Sequence, residues 1–229
     1  MSRVDDLIWL PSTSIFDGKW SNDVSGMRWK ESGVEYENVK KQWAFTDTGS
    51  SCIEGPTDVT NFIIEGIKEK VQTTITEDDE LGPTFKCDEV QNLPVFELQF
   101  GGYWFEVRPE DYLHPINIGG IICAICITGE DRGGWILGST FLRGWYSIHD
   151  YSTGRMGFVP HANSLKNKAT HAVQPISTAD IVTWSITAVT LILGVISWIF
   201  VGGGGALASR NAFFQENTTH IDFPLSKYI

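Results

Sequence analysis

The chain has 229 residues, 42% of them hydrophobic and 20% charged, which suffices for one domain with its own core and an appendage. Its formal net charge of -11 excludes a nucleic-acid surface, because phosphate binding takes a basic face. Nine Trp and 13 Phe suit apolar faces packed against something large.

The opening stretch, Met1-Ser-Arg-Val-Asp-Asp-Leu-Ile-Trp-Leu-Pro11, reads as an N-terminal extension over 1–11. It lacks the basic start and longer apolar run of a secretory signal, and Asp5 and Asp6 do not belong in an Arg-rich transit peptide. Residues 1 to about 165 read as all-β, since short alternating apolar runs recur between Gly, Pro and Asn. Within them, Val95-Phe96-Glu97-Leu98-Gln99-Phe100, Gly101-Gly102 and Tyr103-Trp104-Phe105-Glu106-Val107 predict a hairpin with a glycine turn. Residues 58–70 predict the one helix of this domain, with Val59, Phe62, Ile63 and Ile67 on one face. The acidic run Glu77-Asp78-Asp79-Glu80 reads as a solvated loop. No repeat of fixed period is present.

Residues 163–180 read as a polar linker, and residues 181–201 carry no charge. At 1.5 Å per residue that run reaches roughly 30 Å and predicts a single transmembrane helix. Trp184 and Trp198 lie near its ends, Ser177 and Asp180 have capping-box spacing before it, and Gly202 to Gly205 end it. Lys166 and Lys168 precede the run and Arg210 follows, so charge leaves its orientation open. Its hydroxyls (Thr183, Ser185, Thr187, Thr190, Ser197) and small residues (Ala188, Gly194) suit helix packing in lipid, or bonding to their own backbone carbonyls. The tail, 202–229, holds the sequon Asn217-Thr218-Thr219, which matters only in a secretory lumen.

The chemistry concentrates in Ala44-Phe45-Thr46-Asp47-Thr48-Gly49-Ser50-Ser51-Cys52-Ile53-Glu54-Gly55-Pro56. An apolar strand running into Asp47 presents a carboxylate at a surface, while Gly49 permits a tight backbone path. Neighbouring amides and hydroxyls can then hydrogen-bond the charged carboxylate. Alone, Asp in a glycine turn is ordinary turn chemistry. Cys123-Ala-Ile-Cys126 has metal-type spacing, but Cys52 and Cys87 make no matching pair and the apolar alternation reads as a strand, so no metal is expected. The five His residues (His114, His149, His161, His171, His220) form no nucleophile or metal pattern, and Gly202 to Gly205 lacks the Lys of a phosphate loop. No cofactor is expected.

The Asp47 segment, with Gly55-Pro56-Thr57 opening a helix, resembles the second active-site loop of pepsin-like aspartic proteases. Cys87, Leu93-Pro94, Gly101-Gly102 and Tyr103 resemble the family's following pattern, and Trp135-Ile-Leu-Gly-Ser139-Thr-Phe-Leu-Arg143 resembles the strand that crosses behind the catalytic loop. Tyr146 to Asp150 and Gly154 to Phe158 resemble its closing strands, and Ile15-Phe16-Asp17-Gly18, Gly26 and Trp29 the opening of the second lobe. The resemblance covers residues 12–162 and implies an all-β C-terminal-type lobe there, a catalytic Asp47 supported by Thr48, Gly49 and Ser50, and a disulfide between Cys87 and Cys123. It also exposes departures. Only one Asp-Thr-Gly and no Asp-Ser-Gly occurs, the residues before Asp47 are too few for a second lobe with its flap, the run from Trp29 to Asp47 is short, and Ser139 stands where the family often has Asp.

Cleavage by this family takes two carboxylates sharing a proton, so this reading makes the chain inert alone. The expectation is a membrane-anchored accessory or scaffold subunit, held in lipid and covered by other protein subunits where the missing lobe would sit. An organelle membrane is expected, the mitochondrial inner membrane being one such, with a secretory or endolysosomal membrane the alternative. The alternative function is an aspartic endopeptidase completed by a separate N-terminal-type lobe or by upstream sequence.

Overall fold

A computed structural model describes residues 6–13, 20–36, 39–116, 121–162, 164, 166–172 and 189–193. The chain divides into two compact units, Met1–Val173 and Gln174–Ile229.

In the first unit, strands β1 (Ile8–Pro11), β2 (Ser21–Trp29), β3 (Gln42–Thr46) and β4 (Ile53–Gly55) lead into helix α1 (Thr57–Lys68). Next come β5 (Thr76–Asp78), β6 (Gly82–Lys86), a 3-10 turn at Cys87–Asn92, and the hairpin β7 (Phe96–Phe100) and β8 (Tyr103–Val107). A short helix α2 (Pro109–Tyr112) precedes β9 (Leu113–Pro115), β10 (Ile122–Ile125), β11 (Ile127–Gly129) and β12 (Trp135–Leu137). Helix α3 (Ser139–Leu142), β13 (Trp145–Asp150), β14 (Arg155–Pro160) and β15 (Ala169–His171) complete the unit. An eight-stranded sheet runs β11-β4-β12-β3-β2-β7-β8-β15, a four-stranded sheet β5-β6-β10-β9 and a three-stranded sheet β1-β14-β13.

The predicted hairpin forms, with Phe100 paired to Tyr103. Gly101 at φ 58° and Gly102 at φ 81° supply the two left-handed residues of the turn, a conformation that costs side-chain-bearing residues energy. The helix expected over 58–70 runs over Thr57–Lys68, because Pro56 stands at its N-cap and Lys70 closes it with a shorter bond to the carbonyl of Ile67. Val59, Ile63 and Ile67 of its expected apolar face are buried, Thr60 joins them, and Phe62 is only partly covered.

Two boundaries differ from the sequence reading. The supposed extension over 1–11 contributes β1, which pairs with β14 and buries Leu10. The supposed linker from 163 contributes β15, which pairs with β8 from Ala169↔Phe105 to His171↔Tyr103. Edge strands of three or four residues give too little alternation to register against their polar surroundings. The acidic run is likewise half strand: Glu77 and Asp78 lie in exposed β5, where Glu77 meets Lys68. The short run after Trp29 is a tight turn, its N–H bonded to the carbonyl of Val34 at 2.9 Å.

The core is aromatic where the sheets meet. Phe105 is wholly buried, its ring 4.0 Å from Phe100, 5.0 Å from Trp145 and 5.5 Å from Phe158. Glu97 and Glu106 lie opposite each other on β7 and β8, both about 1% exposed, an arrangement of like charges that is unfavourable by itself. Arg28 pairs with Glu97, and Lys30 and Arg108 with Glu106, so burial of two anions is compensated by three cations. Cys87 and Cys123 form the expected disulfide, tying the 3-10 turn to β10.

Of the apolar run 181–201, only 189–193 are described, as an exposed helical segment in the second unit. The expected transmembrane helix otherwise lies outside the described residues, among which no helix is long and apolar enough to cross a membrane. The capping residues Ser177 and Asp180, Gly202 to Gly205, the sequon and His220 also lie outside them.

Phe105→Ala is expected to cost about 3–5 kcal/mol in urea unfolding, from lost burial plus the cavity left among the three rings. A cost below about 1 kcal/mol would contradict this packing.

Candidate active-site loop

Asp47 occupies the loop between β3 and β4, and that loop is shaped by a strand far away in sequence. β12 lies between the two, parallel to β3 from Trp135↔Ala44 to Leu137↔Thr46 and antiparallel to β4 at Ile136↔Glu54 and Leu137↔Ile53. The sequence reading of Trp135 to Arg143 as a strand crossing behind the loop matches this placement. The Asp47 N–H donates to the carbonyl of Leu137 at 3.1 Å. The N–H of Ser139 donates to the carbonyl of Ser50 at 2.8 Å, and the N–H and hydroxyl of Thr140 each donate to the carbonyl of Ser51 at 3.0 Å. The crossing is close at Gly138, where a Cβ would stand 2.4 Å from the carbonyl oxygen of Cys52, backbone that cannot step aside.

The carboxylate is held by its own loop. Oδ1 accepts the Gly49 N–H at 2.8 Å, and Oδ2 accepts the Ser50 hydroxyl at 3.0 Å. Such donors aimed at a carboxylate favour its charged form and fix its orientation. The φ of Gly49 is not positive, and a Cβ there would stand 3.1 Å from Asp47 Oδ1, close enough that the carboxylate would have to shift by a few tenths of an ångström. Thr48 is exposed and lines a neighbouring cleft with Ser139, Arg143, His161 and Ser164. Of the expected supporting residues, Gly49 and Ser50 therefore touch the carboxylate, while Thr48 borders it.

Beneath that cleft lies a polar cluster absent from the sequence reading. Asp111, 3% exposed, accepts the side-chain amide of Asn167 at 2.8 Å and the Ser164 hydroxyl at 3.4 Å, while Arg143 donates to its backbone carbonyl. Burial raises the Asp111 carboxyl above its ordinary value, against the opposing pull of the Asn167 and Arg108 hydrogen bonds. Burial also lowers the Arg143 guanidinium, against the pull of Asp111. The only sequence signal was the turn chemistry around Pro109, and Asn167 fell within the supposed linker.

All four cysteines are paired, for Cys52 joins Cys126 across a separation of 74 residues. That bridge, whose state the sequence left open, leaves neither sulfur of Cys123-Ala-Ile-Cys126 as a thiolate for a metal. Among the histidines, His149 stacks on Trp20 at 5.3 Å and His171 lies 4.1 Å from the Tyr103 ring, both packing roles.

The family model "Eukaryotic aspartyl protease" matches residues 4–161. Aspartic protease 1 of Caenorhabditis elegans is 30% identical over 127 residues, 54% of this chain and 31% of that protein. Gastricsin of Cavia porcellus is 29% identical over 164 residues, 69% of this chain and 38% of that protein. Cathepsin D of Mus musculus is 30% identical over 125 residues, 50% of this chain and 28% of that protein. The chain thus spans between 28% and 38% of these relatives' lengths.

A raised carboxyl makes the neutral acid the better fit to the fold. The Asp111 contribution is complete below its ordinary value of 3.8 and is lost as pH rises through the folded value. The stability advantage of wild type over Asp111→Asn should therefore be greatest in acid and shrink toward neutrality, as read by urea unfolding between about pH 3 and 7. An advantage that grows with pH would contradict it.

Proposed function

We infer the function from one premise: the chain belongs to the eukaryotic aspartyl protease family. On that premise the Asp47 loop is one half of an aspartic endopeptidase site. The observation that carries this reading is the cradle itself, in which both carboxylate oxygens of Asp47 are held by donors of its own loop. The Asp150 turn holds both of its carboxylate oxygens too, through Ser152 and Thr153, so the Asp47 cradle supports this reading together with the β12 crossing behind it at Gly138.

Peptide hydrolysis here takes a second carboxylate, since these 229 residues hold a single Asp-Thr-Gly. The completing group comes from another lobe, in the same polypeptide or in a second chain. Two carboxylates placed together cannot both ionise, so they share a proton. One accepts a proton from the attacking water, while the other donates its proton to the carbonyl oxygen of the scissile bond. Gly49 and Ser50 would hold Asp47 in register for that exchange, and Gly138 would keep the loop from retreating.

A second reading is favoured by Ser139, which stands where the resembling family often has Asp, and by the uncharged run 181–201. In it the lobe is a non-catalytic accessory subunit, anchored in a membrane and covered by protein partners.

The two readings part in the native protein. Asp47→Asn is expected to reduce acid-optimum, pepstatin-sensitive peptide cleavage by at least about a hundredfold, because one member of an acid-base pair is lost. Cleavage that survives the substitution would refute the endopeptidase reading. On the accessory reading, the protein stays with membranes through an alkaline carbonate wash and purifies in mild detergent with partners. Recovery as a lone species in the wash would refute that one.

A further inference from the structure

We propose that the Cys52–Cys126 disulfide is a redox-controlled clamp on the Asp47 loop. Its bearing on cleavage rests on the half-site reading above, but the clamp itself does not. Cys52 is the last residue of the loop before β4, and Cys126 is the residue before β11. The bridge therefore joins two neighbouring strands at the point where their parallel pairing starts, Ile127↔Ile53.

Without the bridge, β4 keeps its pairing with β12 and each strand keeps a buried isoleucine, Ile53 and Ile127, but β11 has no second strand beside it among the described residues. Each is three residues long, and β11 is the edge of the eight-stranded sheet, with β4 its one neighbour there. Short parallel pairs at an edge are among the first elements to open in a native protein. The far side of the bridge, by contrast, is fixed: the Cys126 N–H donates to the carbonyl of Tyr112 at 2.8 Å, and the Tyr112 side chain is wholly buried with its hydroxyl on the Pro94 carbonyl. The clamp thus fastens the downstream end of the Asp47 loop to a rigid part of the core.

The same backbone carries the hydrogen bonds that position Asp47. Ile53 donates to the carbonyl of Cys126 at 3.1 Å, and the carbonyls of Ser50 and Ser51 accept from Ser139 and Thr140. Opening the bridge removes the only covalent restraint on this end, so residues 48–55 and β11 gain freedom together. Cys87–Cys123 has no such place, because it joins the 3-10 turn to β10.

The chemical step is thiol–disulfide exchange with a dithiol reductant. Its thiolate attacks Sγ of Cys52, which is half-buried where Cys126 is buried, and the sulfur–sulfur bond breaks with the electron pair leaving on Cys126. The reductant's second thiol then displaces Cys52. The reductant ends as its own disulfide, two electrons have passed to the protein, and each cysteine has taken up one proton.

Amide hydrogen exchange on the full chain tests this. In the paired variant Cys52→Ser with Cys126→Ser, exchange at Ser50, Ile53, Ser139 and Thr140 should accelerate on the order of tenfold or more, with β13 and β14 unchanged. The paired variant Cys87→Ser with Cys123→Ser should leave those four amides as they are. If the first variant does not fold, wild type reduced with dithiothreitol, with the opened bridge identified by thiol alkylation and mass spectrometry, gives the same readout. Unchanged exchange at the four amides, or acceleration spread equally over β13 and β14, overturns the clamp. Acceleration confined to the loop keeps the clamp whatever Asp47→Asn does to cleavage by the native protein, so the half-site fails separately, on that substitution alone.

Discussion

The crossing of β12 between β3 and β4 is the constraint on which the rest of the site depends. At Gly138 the chain passes so near the carbonyls of Ser50 and Cys52 that any side chain would collide with backbone. Once the two segments are that close, the amides of Ser139 and Thr140 have the loop carbonyls as their partners, and the amide of Asp47 has Leu137. A buried backbone group left without a partner is costly, so these bonds fix the loop as firmly as the packing does. The orientation of the Asp47 carboxylate is a consequence of this junction and of Gly49 and Ser50 beside it.

The surrounding lobe supports the junction with unlike materials. The aromatic cluster around Phe105 fills the space where the sheets meet, and aromatic rings bury much apolar area at low cost in rotamer freedom. The opposed Glu97 and Glu106 are tolerated because Arg28, Lys30 and Arg108 reach them from neighbouring positions, Arg28 also lying over the Trp104 ring. Two nested disulfides then restrain the stretch between β4 and β11, with Cys87–Cys123 inside the ring closed by Cys52–Cys126.

On the endopeptidase reading, a cradle for one carboxylate is half of a chemistry that works by contrast. In a proton-sharing pair each member is defined by the other, one charged and one neutral, and the roles of base and acid follow from that difference. Orientation supplied by the loop and protonation supplied by a facing group are separate requirements. This lobe meets the first through bonds within residues 47–50 and the crossing at Gly138.

Much of this was legible in the chain of letters, because some features are local. The glycine turn between β7 and β8, the apolar face of α1, the Asp47 motif and the Cys87–Cys123 pair each follow from short patterns or from the resemblance they carry. The strand after Trp135 was recognisable by its Leu-Gly, but the collision that makes Gly138 obligatory exists only once the loop lies beneath it. The edge strands β1 and β15 escaped notice because three or four residues carry no period, and their partners Phe158 and Phe105 are distant in sequence. Asp111, Asn167 and the Cys52–Cys126 bridge were undecided for the same reason: each is defined by a neighbour that only folding brings near. Sequence by itself determined which residues could do the chemistry, since residue type and short spacing are written in it. Tertiary structure alone decided which of them meet, because distances across a fold are set by packing.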